Sequence, residues 1–103
     1  MQYIVIGYDG TDENAMERRL AVRETHLQGV ERRFKAGEHL YGLALLNDDG
    51  KMIGSMMVVE YPSREALDAW LKEEPYVLGD VWRTVEVKPC KVAPTFMELY
   101  KQG

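Results

Sequence analysis

Apolar positions along this chain repeat with two periods, one of strands and one of helices. Tyr3, Ile4, Val5, Ile6 and Tyr8 form a short β-favouring run that stops at the turn cluster Asp9-Gly10-Thr11-Asp12. Thr11 or Asp12 is the expected cap of a helix that begins near Glu13. In that helix Met16, Leu20, Arg23, Leu27, Val30 and Phe34 recur at spacings of three and four, which predicts one buried stripe. Gly37 is a natural stop. Residues 40–46 read as a buried strand, Asn47-Asp48-Asp49-Gly50 as a hairpin connection, and residues 53–61 as the returning strand. Ser63 is the expected cap of a second helix, with Ala66, Leu67, Trp70 and Leu71 on one face. That helix is expected to end at Glu74, because Pro75 disfavours helical geometry in the residue before it. Residues 81–92 supply a last strand, and 93–103 form a tail.

The predicted order is β-α-β-β-α-β, which points to an α+β fold, the ferredoxin-like split-βαβ sandwich. Helices cover one face of such a sheet, and the other face of a monomer should be polar. Here Ile4, Ile6 and Tyr8 oppose Tyr3, Val5 and Gly7, and the two central runs are apolar on both sides as well. Strands apolar on both sides are expected to be buried on both sides. A second copy packed sheet to sheet meets that need, so the expected state is a homodimer.

Composition narrows the class without naming a function. At 103 residues, with 46% hydrophobic and 29% charged side chains, the chain makes one globular domain. Its net charge of −4 makes nucleic acid and anionic membrane poor partners. No apolar run approaches the roughly 20 residues of a membrane span, and the start has no basic region of a signal peptide. The lone cysteine, Cys90, leaves no internal disulfide and fits a reducing, cytoplasmic compartment.

Candidate chemistry lies on the first helix. Arg19, Arg23 and His26 follow one another by four and three residues and form a ridge. Arg23 stands where the stripe asks for a hydrophobe, and an arginine on the core side of a helix needs a carboxylate or an anion. The plainer alternative is that both arginines lie flat over apolar surface with their heads in water. His39 reads as a solvated rim residue. The two histidines lack the spacing of a metal site, and no nucleotide-binding or zinc motif is present, so neither metal nor cofactor is expected. Cys90 is expected to be a buried thiol, and Met56, Met57 and Met97 packing residues. Glu74, ahead of Pro75 and Tyr76, is either an exposed terminal acid or, beside His26, a proton-transfer partner.

Residues 19–27, Arg-Leu-Ala-Val-Arg-Glu-Thr-His-Leu, resemble the arginine-and-histidine helix of the YciI family, the YCII-related domain. The hairpin from Gly50 to Gly54, the segment from Ala69-Trp70 to Glu74-Pro75-Tyr76-Val77 and the closing Val85-Glu86-Val87-Lys88-Pro89 are similar to it too, in order, over residues 3 to 92. The resemblance implies a dimeric α/β barrel of ferredoxin-like subunits, with a domain over residues 1–93 and a tail over 94–103. It also implies a histidine–aspartate active-site pair near the dimer barrel, carried here by His26 and by Glu74, one methylene longer. The family is related to muconolactone isomerases, and one relative removes chloride from a chlorinated hydroxyhydroquinone. The tail departs from the family's usual end. Phe96, Leu99 and Tyr100 predict a short helix there, covering a neighbouring subunit or the pocket mouth.

The leading expectation is a cofactor-independent lyase or isomerase acting on a small anionic or aromatic-derived compound. His26 and Glu74 would be catalytic, and Arg19, Arg23 and Tyr76 would bind the substrate. The alternatives are a ligand-binding or sensory dimer without turnover, and a housekeeping dimer in which His26 is a structural residue.

Overall fold

The structure, a computed structural model, describes residues 1–101. Four strands, β1 (Gln2–Asp9), β2 (His39–Leu46), β3 (Met52–Glu60) and β4 (Trp82–Cys90), form one sheet in the order β2-β3-β1-β4. Every neighbouring pair is antiparallel. Helix α1 (Ala15–Lys35) joins β1 to β2, and α2 (Arg64–Leu71) with the one-turn α3 (Pro75–Leu78) joins β3 to β4. This is the expected α+β ferredoxin-like arrangement. A final helix, α4 (Pro94–Lys101), follows β4, and residues 102 and 103 of the expected tail lie outside the described residues.

Strand register sorts the side chains by face. Tyr3, Val5 and Gly7 pair with Val59, Met57 and Ser55 on β3, and with Pro89, Val87 and Val85 on β4. That face carries the core, where Tyr3, Val5, Met57 and Val59 pack with Leu67, Trp70, Tyr76 and Trp82. Ile4, Ile6 and Tyr8, with Met56, Val58, Tyr41 and Leu43, occupy the helix-free face. Gly7 has a steric role. A Cβ there would come within 2.3 Å of the Trp82 indole, so only glycine lets that ring lie across β1.

Three local expectations are corrected. First, α1 starts after Asn14, whose side chain makes no cap bond, and not at Thr11 or Asp12. Asp12 instead accepts the Asn14 N–H at 3.2 Å and holds Arg18 through two 2.7 Å bonds. Second, the buried face of α1 is not the predicted stripe. Arg19, His26 and Gly29 are buried, with Val22 and Val30 beside them, while Leu20, Leu27 and Phe34 are 56%, 45% and 55% exposed. Both faces have three-and-four spacing, and partners for the polar residues, supplied from β1, β3 and α3, decide between them. Third, α2 stops at Leu71 rather than Glu74. Ser63 caps α2 as expected, its Oγ accepting the Ala66 N–H at 3.1 Å. Glu74 is the cap of α3, with Pro75 at the first helical position. Gly37, at φ +79°, follows the C-cap of α1 as expected.

Helix α4 borders, without closely covering, the sheet face that α1, α2 and α3 leave open. Tyr100 donates its hydroxyl proton to the Leu40 carbonyl, and Phe96 and Leu99 line an apolar groove of about 390 Å3 with Leu40, Tyr41 and Val58.

Candidate active site

The N-terminal half of α1 faces the ends of β1 and β3 and the short α3. Arg19 is 3% exposed; its Nη1 donates to both carboxylate oxygens of Asp9, at 2.9 and 3.0 Å, and its Nη2 donates to Ser55 Oγ at 2.9 Å. Burial pushes the Asp9 carboxyl up, and the Arg19 guanidinium works against that shift. Two turns along the helix, His26 Nδ1 is hydrogen-bonded to Glu74 Oε1. Glu74 is 1% exposed, so the reading of it as an exposed terminal acid is overturned.

The capping role of Glu74 explains how it reaches inward. As N-cap of α3 it accepts the Tyr76 N–H on Oε1 at 3.2 Å, while Oε2 accepts the Trp70 indole N–H at 3.2 Å. Three donors thus hold one carboxylate, and that environment matches its negative charge. With an acceptor facing Nδ1, the proton of neutral His26 belongs on Nδ1 and the lone pair on Nε2. The imidazole is held flat against the Tyr76 ring, with centroids 3.9 Å apart and planes 14° from parallel. Trp82 closes in edge-on at 6.0 Å. Burial raises the Tyr76 phenol above its ordinary value, and Arg19, 4.8 Å from the ring centroid, opposes that.

A cavity of about 190 Å3 opens beside this group, between α1 and strands β2 and β3. Arg19, Arg23, His26, Ser55 and Tyr76 contribute its polar wall, and Leu27, Val30 and Met57 its apolar one. Small residues on β2, Gly42 and Ala44, leave this space open on the sheet side. All five residues singled out from the sequence therefore meet at one place, His26 and Glu74 in contact and Arg19, Arg23 and Tyr76 around them. They are not equivalent. Arg19 is locked to Asp9 and Ser55, whereas Arg23 is exposed, and among the described residues no hydrogen bond or ion pair engages it.

Asp9, Ser55, Trp70 and Trp82 were missed in the sequence. Asp9 reads as part of a turn cluster; the argument that a core-side arginine needs a carboxylate applies in the sequence to Arg23, which the structure leaves exposed, and the buried arginine that takes one is Arg19. His39 needs correction too. It is 2% exposed rather than a solvated rim residue, because its register opposite Val59 turns it to the core face. There Nε2 meets the Tyr61 hydroxyl at 3.1 Å, and Trp70 packs edge-on at 4.6 Å. Burial pulls its pKa down to about 3. Cys90 is half-buried, with its thiol pushed up by burial.

A family model described as the YCII-related domain matches residues 1–91. The chain belongs to the YCII-related family. Protein YciI of Escherichia coli O6:H1 is 34% identical to this YCII-related domain over 97 residues, spanning 88% of this chain and 97% of the relative. An uncharacterized protein of Haemophilus influenzae is 31% identical over 101 residues, with the same two coverages. Among solved structures, 5-chloro-2-hydroxyhydroquinone dehydrochlorinase from Burkholderia phenoliruptrix AC1100, in complex with 2,5-dihydroxybenzoquinone, superposes with a TM-score of 0.75 at 19% identity. That match covers 92% of this chain and 98% of the other. Protein Atu4242 from Agrobacterium tumefaciens gives a TM-score of 0.50 at 19% identity, over 91% and 95% of the two chains. At such identities the likeness is one of fold.

Proposed function

We propose that this YCII-related domain is a cofactor-independent enzyme of the lyase or isomerase type, acting on a small anionic or aromatic-derived compound. The observation that carries this reading is the buried His26–Glu74 pair, whose histidine lines a cavity together with Arg23, which no hydrogen bond or ion pair engages among the described residues. Glu74 fixes the histidine tautomer, so Nε2 takes a proton from substrate carbon and returns it to substrate or leaving group. Arg23 holds a substrate carboxylate or oxyanion, Arg19 supplies charge at the inner wall, and Tyr76 supports the His26 ring. A cavity of about 190 Å3 lies below the roughly 300 Å3 of drug-sized sites, which favours a compound of about one ring. The dihydroxybenzoquinone held by the structural neighbour has that size and carries ionisable oxygens.

The working unit in this reading is a homodimer in a reducing, cytoplasmic setting, with the helix-free sheet faces packed together. Among the described residues no helix is long and apolar enough to cross a membrane. Small ketones, phenolic acids and halogenated hydroquinones, screened by thermal shift and then for turnover, test the function. His26→Ala should lower turnover by about 100- to 10,000-fold while the fold is kept. Wild-type rates in that variant would sink the reading, and tight binding with no turnover in the native protein would make it a sensory dimer instead.

A further inference from the structure

Ser55 was not among the residues that the sequence singled out, and its hydrogen bonds leave it only one further bond to make. Its Oγ receives the Arg19 Nη2–H at 2.9 Å and the Trp82 Nε1–H at 3.3 Å. Arginine and tryptophan side chains are donors only, so both lone pairs of the serine oxygen are used as acceptors. The remaining tetrahedral position is the hydroxyl proton, directed away from both partners. Among the described residues none accepts it. Ser55 is 4% exposed, and the open space next to it is the cavity that it lines with His26. Arg19, also on that wall, has its Nε–H buried without an acceptor. Among the described residues neither proton has an acceptor, and of the two residues it is Ser55 whose free hydroxyl position bears on a ligand in the cavity that both line.

We propose that Ser55 is a substrate-contacting donor, and that the cavity selects compounds carrying an acceptor oxygen (a ketone or quinone carbonyl, a carboxylate or a phenolate) bound to its hydroxyl. The proposal rests on the acid–base reading above and specifies its substrate class. Two donors into one hydroxyl, one of them a guanidinium, polarise it and strengthen the bond that it gives. His26 lines the same cavity, and for a carbonyl so placed the step asked of its Nε2 is removal of a proton from the neighbouring carbon. The C–H bond breaks, its proton goes to Nε2, its electron pair forms the enolate double bond, and the carbonyl π pair moves onto the oxygen. The charge that builds there is met by the Ser55 O–H. Gly7 and the register of β1 with β3 place the donor, since they bring Trp82 across the strand to Ser55.

The test uses 2,5-dihydroxybenzoquinone as the probe, with dissociation constants from titration and the infrared carbonyl band of the bound molecule. In the native protein the band should move to lower wavenumber on binding. Ser55→Ala should weaken binding by about tenfold or more and return the band toward its free position. Ser55→Thr, which keeps the hydroxyl, should recover most of both. An unshifted band in the native protein, or a folded Ser55→Ala variant with native affinity and band position, overturns the proposal. So does failure of the native protein to bind the quinone and a panel of small ketones and phenolic acids at millimolar concentration. Turnover of His26→Gln separates the two claims. Loss there with an indifferent Ser55 leaves the acid–base reading standing alone, while a Ser55-dependent band with native His26→Gln turnover leaves only the binding donor.

Discussion

Glu74 carries two tasks that a single residue seldom combines, capping a helix and orienting a histidine, and its substitutions should separate them. In Glu74→Gln one amide atom takes the Oε1 place that the Tyr76 N–H and His26 Nδ1 share and the other takes the Oε2 place facing the Trp70 N–H, so the charge beside the imidazole is lost and one buried donor faces an amide N–H. Turnover should fall by about 100-fold or more, and the melting temperature by a few degrees for the donor left unpaired. Glu74→Asp restores the family's residue and should retain part of the activity. Equal rates for all three proteins would refute the role of the pair. His39 makes a separate prediction about pH. Its folded pKa, near 3 against an ordinary 6.5, is lowered first by burial and then by the positive charge of Arg33. Below pH 6.5 the unfolded chain therefore binds a proton that the folded chain refuses, and stability is lost as pH falls. The slope should approach about 1.4 kcal/mol per pH unit between 6.5 and 3, with no contribution above 6.5. Urea unfolding between pH 7 and 4 should be less steep in His39→Phe than in the native protein; identical slopes would count against a neutral buried imidazole.

Element order and type were legible from periodicity and turn residues, whereas the facing of α1 was not. The three-and-four spacing of hydrophobes favours Leu20, Leu27 and Phe34, yet the helix turns Arg19 and His26 inward. Buried ionic groups are tolerable only with partners, and those partners come from β1, β3 and the start of α3. A 21-residue helix cannot disclose them in its own sequence. Helix α4 shows the reverse case. The spacing of Phe96, Leu99 and Tyr100 marked an apolar side, and the structure turns it toward a groove with Leu40, Tyr41 and Val58 rather than toward the His26 cavity, with Phe96 and Leu99 still 61% and 69% exposed. Truncation after Pro94 should therefore lower the melting temperature by several degrees, as a loss of about 1–2 kcal/mol does in a domain of this size, and spare the site. An unchanged melting temperature would show that α4 adds nothing to the fold.

For the whole molecule, the helix-free face sets the expectation. Ile4, Ile6, Tyr8, Tyr41, Leu43, Met56 and Val58 share it by register, and α4 borders only the end near Tyr41 and Val58. A surface this apolar favours self-association over exposure. Sedimentation equilibrium at micromolar concentration should give twice the 11.9 kDa chain mass. Leu43→Asp, on that face of the edge strand β2 and 41% exposed in the single chain, should shift the protein toward monomer. A native protein that sediments as a monomer would remove the sheet-to-sheet packing from the proposal.

What the sequence alone determined is whatever short-range chemistry specifies. Alternation and turn residues set the β-α-β-β-α-β order, Ser63 and Gly37 marked helix limits, and the ridge of Arg19, Arg23 and His26 with Glu74 ahead of Pro75 marked the site. Tertiary structure decided which groups those residues meet. Asp9 and Ser55 come to Arg19 from strands ten and thirty-six residues away, and His26 and Glu74 lie forty-eight apart. Such pairings depend on sheet register and on the rotation of α1 about its axis. Both are set by the packing of the whole chain, because a buried charge adopts whichever orientation brings it a partner.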